Sequence, residues 1–127
     1  MGGVKMIKYR ESEEMYLETI LILKQKSANV HAINVADELG YSRPSVSRGV
    51  NLLVKKGYIV VGQGGELQFT AAGKAKAENI YDRHCVITKL LEKIGVEKEL
   101  AEENACRIEH VISPELFEAI KKFVKNG

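Results

Sequence analysis

The sequence predicts a mainly α-helical chain with one small β-hairpin near its middle. Three observations predict it. Apolar residues recur at three- and four-residue spacing along most of the 127 residues. A glycine-rich break, Gly62-Gln63-Gly64-Gly65, separates two short β-type runs. Cap residues such as Ser42, Thr70 and Ser113 stand in front of helical runs, and glycines close several of them.

The elements follow in order. Ser12 reads as an N-cap, with Glu13 and Glu14 in the first turn and Tyr16, Ile20 and Leu23 on one face, until residues 25–29 break the pattern. Val30 to Ala32 suits a single β-bridge, and Asn34 to Leu39 a short helix closed by Gly40. Ser42 caps the next helix, where Pro44 is tolerated in the first turn, Val46, Val50 and Leu53 share a face, and Gly57 ends the run. Tyr58 to Val61 and Glu66 to Phe69 are the hairpin strands. Thr70 caps a long helix with Ile80, Tyr81, Ile87, Leu90 and Leu91 on its apolar side, ending at Gly95. A helix over residues 97–111 follows. Ser113-Pro114 then opens the last helix, with Leu116, Phe117, Ile120, Phe123 and Val124.

Bulk properties narrow the classes. A 45% hydrophobic chain of this length buries a core, as one compact domain or two small ones sharing an interface, and nothing reads as disordered. The first residues carry neither a secretory apolar run nor a myristoylation pattern, and no stretch approaches the roughly 20 apolar residues of a membrane span, so a cytoplasmic protein is expected. Cys85 and Cys106 belong to no CxxC pair, which argues against a structural disulfide, and Cys85 reads as a buried small hydrophobe. Net charge is +2, with ten Lys/Arg against seven Asp/Glu up to residue 75 and nine against ten beyond it. A mildly basic first half and a mildly acidic second half suit a nucleic-acid-binding region, residues 1–72, followed by a cation-binding region, residues 73–127.

Two helices joined at Gly40-Tyr41, with Ala36 and Leu39 facing Val46 and Val50, have the spacing of a helix-turn-helix, and the hairpin behind them makes it winged. The second helix is then the reading head. Ser42, Arg43, Pro44, Ser45, Ser47 and Arg48 stand at its N-terminal end, where hydroxyls and backbone N–H groups hold phosphates and arginines reach phosphate or guanine edges; Asn51 lies one turn on. Gln63, between glycines, is the wing tip. Taken singly, each residue is equally at home on an ordinary solvated helix, and Lys55 and Lys56 read as solvated charges.

In the second half, Cys106, Glu109 and His110 fall at i, i+3 and i+4, one helical face, with Glu102 one turn earlier. Thiolate, carboxylate and imidazole together suit Fe(II), Mn(II), Zn(II), Ni(II) or Co(II) better than Ca(II) or Mg(II). Other elements must complete the shell; Met15 and Glu18 on the first helix and His84 on the long helix offer themselves. Against this stand ordinary roles: Met15 as core, His84 as a polar rim residue, and the glutamates as exposed charges.

Glu14-Met-Tyr-Leu-Glu18, Val35-Ala-Asp-Glu-Leu39, Ser45-Val-Ser47 and above all Ala105-Cys-Arg-Ile-Glu-His-Val-Ile-Ser113 resemble the diphtheria-toxin-repressor family of iron- and manganese-dependent repressors, from about residue 8 onward. The resemblance implies a homodimer that a divalent ion activates for binding palindromic operators of metal-uptake genes. It matches Met15, Cys106, Glu109 and His110 to the primary site of the iron-responsive branch, and Glu18 and His84 to ligands of the manganese-responsive branch. Met15 and Cys106 stand where that second branch has aspartate and glutamate, a softer pair that leans toward Fe(II). Thr88 and Glu102 replace a glutamate and a histidine of the iron branch's ancillary site, which weighs against a second ion. The resemblance is to the short, two-domain manganese-regulator architecture, in which no SH3-like third domain is expected.

The mechanism so implied has the ion joining Met15 and Glu18 to Cys106, Glu109 and His110, so that metal sets the separation of two recognition helices about 34 Å apart. The last two helices, with Phe117, Ile120 and Phe123, are either the dimer surface or internal core. One rival is a metal-independent winged-helix regulator sensing a small organic ligand, indifferent to chelators and to Cys106→Ala. The other is an enzyme using Cys106 and His110, disfavoured because neither an orienting third group nor a glycine-rich oxyanion loop accompanies them.

Overall fold

The computed structural model describes residues 11–126, with only the backbone of Glu11 and Ser12. The expectations about a leader or lipid signal at residues 1–6 lie outside the described residues. The first described element is a π-helical turn, Glu11–Met15, continuing into α1, Tyr16–Lys26. Ser12 therefore sits inside the opening turn and not in front of it, and α1 runs past Gln25 until Ser27 takes an extended conformation. Then come α2 (Ala32–Leu39), α3 (Arg43–Lys55), β1 (Ile59–Val61), β2 (Leu67–Phe69), α4 (Ala71–Lys93), α5 (Lys98–Ile108) and α6 (Pro114–Asn126). The mainly α fold with a β-hairpin wing is as the sequence predicts.

The described residues fall into two compact units, one ending at Glu78 and the other beginning at Asn79. In the first, α1, α2 and α3 pack around Leu17, Ile20, Val35, Val46 and Leu53, all at most 1% exposed. The helix α2 starts two residues before Asn34, because the His31 N–H donates to Asn34 Oδ1 at 2.8 Å and fixes the entry turn. Gly40, at φ +70, ends it as a left-handed C-cap, and the Gly40 and Tyr41 N–H groups both donate to the Ala36 carbonyl. The Ser42 Oγ accepts the Ser45 N–H at 3.3 Å, so α3 starts at the predicted cap.

The hairpin is antiparallel, with Ile59 opposite Phe69, Val60 opposite Gln68 and Val61 opposite Leu67, each strand one residue shorter than the sequence suggests. Ile59 and Leu67, each 1% exposed, anchor it to the core. The predicted bridge exists as His31 paired with Glu66, and the Leu67 N–H donates to the Val30 carbonyl at 2.7 Å. The Thr70 Oγ1 accepts the Gly73 N–H at 3.0 Å and so caps α4.

In the second unit, Ile80, Ile87, Ala101, Ala105 and Phe117 are buried. Glu97, by accepting the Leu100 N–H, starts α5 at Lys98; the helix ends at Ile108, three residues short of the predicted end. Pro114 disfavours helical backbone at Ser113, and Ser113 caps α6 through the Leu116 N–H at 3.1 Å, so the chain must leave α5 early. Glu109 and His110 consequently lie in the turn after α5. One further correction and one division concern burial. Cys85 is half-buried, not fully buried, because its stretch of α4 is only partly covered. Phe117 is core at 4% exposure while Phe123 is 55% exposed, so the apolar residues of α6 divide between interior and surface.

Candidate metal centre and nucleic-acid interface

Within the second unit the chain folds three of the predicted donors onto one point. A nitrogen of His84, the sulfur of Cys106 and a carboxylate oxygen of Glu109 all lie within 4.8 Å of one another. Helical periodicity explains the approach from α5: Ala101, Ala105 and Glu109 follow at four-residue spacing, so the stripe that packs as core ends in a carboxylate. Glu109 is 1% exposed and His110 4%. Glu109 Oε1 is 3.6 Å from His84 Nδ1 and 3.6 Å from His110 Nε2. A carboxylate taken out of water at that depth is tolerable only among compensating groups, and two imidazoles flank this one.

The turn that carries Glu109 is held from α4. Arg83 Nη1 donates to the Glu109 carbonyl at 3.2 Å and to the Ile112 carbonyl at 3.4 Å, while its guanidinium lies over the Phe117 ring at 5.4 Å. Sequence reasoning missed Arg83, since no local pattern links it to a turn 26 residues away. At the next position of α4, His84 stacks against Tyr81 with 6.4 Å between ring centroids, and its carbonyl accepts the Thr88 hydroxyl at 2.7 Å. Burial pushes the Cys85 thiol above its ordinary range, with a bond from Tyr81 pulling it partly back, so this cysteine stays a protonated neighbour of the cluster.

The remaining predicted ligands are placed differently. Glu102 is exposed one turn earlier on α5. Met15 and Glu18 belong to the other unit, Met15 half-buried at the end of the π turn and Glu18 buried at 3% exposure in the first turn of α1. The donor set of the second unit, a thiol with a carboxylate and imidazoles, fits a first-row transition ion: the sulfur is too soft for Ca(II) or Mg(II).

The helix that the sequence offers as a reading head also forms. Ser42, Arg43, Pro44, Ser47, Arg48 and Asn51 are exposed on α3, Ser45 is half-buried, and Val46, Gly49, Val50 and Leu53 form the inward stripe. The Ser42 hydroxyl donates to Ser45 Oγ at 3.0 Å, and Arg48 Nη2 donates to the same oxygen at 3.3 Å, which pre-orders three polar side chains at the helix start. Beneath them lies Tyr16, whose hydroxyl is 3.5 Å from the Ser45 carbonyl and whose ring fills the space a side chain at Gly49 would need. Burial raises the Tyr16 phenol and the nearby Arg48 pulls it back. Gln63 is exposed at the wing tip.

Comparison with known proteins agrees with both halves. A family model described as "Iron dependent repressor, N-terminal DNA binding domain" matches residues 8–65, and one described as "Iron dependent repressor, metal binding and dimerisation domain" matches residues 70–126. The diphtheria toxin repressor of Corynebacterium diphtheriae is 32% identical over 117 residues, which are 91% of this chain and 52% of that protein. The chain thus spans about half the length of that relative. An uncharacterized HTH-type transcriptional regulator of Methanocaldococcus jannaschii is 30% identical over 117 residues, 91% of this chain and 94% of that protein. The crystal structure of T. acidophilum IdeR superposes with a TM-score of 0.80 at 24% identity, covering 89% of this chain and 54% of that one, and shows the shared fold. A winged helix-turn-helix followed by a thiol, carboxylate and imidazole cluster, matched by both halves of one family description, means that the chain belongs to the iron-dependent repressor family.

Proposed function

We propose that this chain is a metal-dependent transcriptional repressor of the cytoplasm, a homodimer that binds a palindromic operator in double-stranded DNA when loaded with Fe(II) or Mn(II) and so controls metal-homeostasis genes. Residues 1–72 serve as the DNA-binding part and residues 73–127 as the metal-binding and dimerisation part. It works by binding alone, without catalytic turnover. No helix among the described residues is long and apolar enough to cross a membrane.

The observation that carries the reading is the convergence of His84, Cys106 and Glu109 within 4.8 Å, next to His110. These four residues hold the ion, and Zn(II), Co(II) or Ni(II) can substitute. The sequence resemblance is the ground for adding Met15 and Glu18; Glu102 belongs to the exposed rim. When bound, a divalent ion supplies a fixed link among these donors. Arg83 keeps the Glu109 turn in place for it by bonding two carbonyls. In the DNA-binding part, Ser42, Arg43, Pro44, Ser45, Ser47, Arg48 and Asn51 meet the major groove and its phosphates, and Gln63 meets the backbone beside it.

A duplex selected from a random pool by the Mn(II)-loaded protein, titrated with Fe(II), Mn(II) or Zn(II) with and without chelator, tests the reading. Metal should raise wild-type affinity about 5- to 150-fold, the range of ordinary allosteric coupling, and chelator should reverse it. His110→Ala should stay at the metal-free level. Binding that ignores chelator in both proteins overturns the proposal.

A further inference from the structure

The wing tip contains three glycines in four residues, Gly62, Gly64 and Gly65 around Gln63, and a loop of that composition samples many backbone conformations unless something selects one. Two side chains do so here. The His31 imidazole Nε2 lies 3.0 Å from the Gly64 carbonyl oxygen, and the Glu66 carboxylate accepts the Gly64 N–H at 3.0 Å. Both backbone polar groups of Gly64 are therefore engaged by side chains. The ring also lies against Gly65, where a Cβ would come within 3.3 Å of its Cδ2 and where φ is +88, a conformation suited to glycine.

His31 is itself fixed. Its backbone forms the isolated bridge with Glu66, and its N–H donates to Asn34 Oδ1 at 2.8 Å. Because it immediately precedes α2, the first helix of the helix-turn-helix pair, one residue ties the start of that pair to the tip of the wing. On the footing of the DNA-binding reading, we infer that His31 is a positioning residue for DNA recognition: it presents the wing tip and the reading helix to the duplex as one preformed surface. A carbonyl only accepts, so the bond needs a proton on Nε2, which the neutral Nε2–H tautomer and the imidazolium both carry. The gain is in ordering cost, since a tip already held need not be immobilised on binding.

Hydroxyl-radical footprinting and affinity measurement on the selected duplex, with Mn(II)-loaded wild type, His31→Ala, His31→Gln and His31→Leu, test this. Wild type should protect both the sugars under α3 and those beside them under the wing. His31→Ala should keep the first set, lose the second and bind about 3- to 10-fold more weakly. His31→Gln, whose amide N–H has similar reach, should restore both; His31→Leu, of similar bulk without a donor, should not, and this pair decides the matter if His31→Ala fails to fold. Wing protection unchanged in His31→Leu, or a Gln variant no better than Leu, overturns the inference. If wild type protects no duplex at all, the DNA-binding reading falls and takes this one with it.

Discussion

Gly49 on α3 is held to glycine by an aromatic ring, and replacing it with alanine gives a quantitative test. An added Cβ would stand 1.9 Å from Cε2 of Tyr16, 2.4 Å from Cδ2 and 2.8 Å from Cζ. Carbon atoms rest about 3.5–4.0 Å apart, so the ring must retreat by roughly 1.5–2 Å. Tyr16 is only 5% exposed, and the retreat breaks its edge-on contact with Tyr41, now at 6.2 Å between centroids, and its approach to the Ser45 carbonyl. Overpacking costs about 1–3 kcal/mol and the lost aromatic pair about 0.5–1.5 kcal/mol. Alanine's better helix propensity returns about 1 kcal/mol. The balance is a loss of about 2 kcal/mol, a fall in Tm of roughly 6–10 °C for a chain of this size. Thermal and urea melts followed by circular dichroism in excess chelator measure it without a contribution from bound ions. In Tyr16→Leu/Gly49→Ala the losses should be less than additive, because the ring that clashes is gone. A Gly49→Ala protein that melts at or above wild type would refute the packing of Tyr16 on α3.

Four other outcomes are expected. Gly73→Ala drives a Cβ to 1.8 Å from the Tyr58 carbonyl oxygen, a backbone atom that cannot swing aside, and should cost about 3 kcal/mol or more in a urea melt. Ser42→Ala removes the α3 cap and should cost about 1 kcal/mol in the same assay. In a Cys106→Ser protein the remaining thiol, Cys85, should alkylate slowly at pH 8 and keep accelerating beyond pH 9.0, its ordinary value, because burial holds its proton. The sign for stability follows: the folded state keeps that proton longer than the unfolded chain, so the contribution is full at neutral pH and is lost as pH climbs past the ordinary thiol range. Finally, excess Mn(II) should raise the wild-type Tm, and Glu109→Gln should abolish most of that rise, since the buried carboxylate is the charged donor at the centre of the cluster.

Much of the fold is legible in the sequence because its local signals agree with its tertiary outcome. Ser42, Thr70 and Ser113 each cap the helix they precede, and the glycine-rich break is the hairpin loop. The differences lie at element ends, where a side-chain bond or the cap of the next helix decides the boundary. The sequence pattern starts α2 at Asn34, whereas the bond from the His31 backbone N–H to the Asn34 side chain starts it two residues earlier. The end of α5 was overrun because the competing demand comes from the cap and proline of the next helix. In the candidate site, the spacing of Cys106, Glu109 and His110 is readable and His84 is offered only as one of several possible partners; the structure brings it from α4, 22 to 25 residues earlier in sequence, to Cys106 and Glu109. Neither Arg83 under the Glu109 turn nor the grip of His31 on the wing has a sequence signature, because both are side chain to carbonyl bonds across more than 25 residues.

Co(II) titration followed by absorption bears most directly on the metal centre. A thiolate ligand gives Co(II) an intense near-ultraviolet charge-transfer band. Wild type should develop that band to saturation, Cys85→Ser should match it, and Cys106→Ser should lose it. A wild type without the band, or a Cys106→Ser protein whose spectrum equals wild type, would contradict a metal centre built on Cys106.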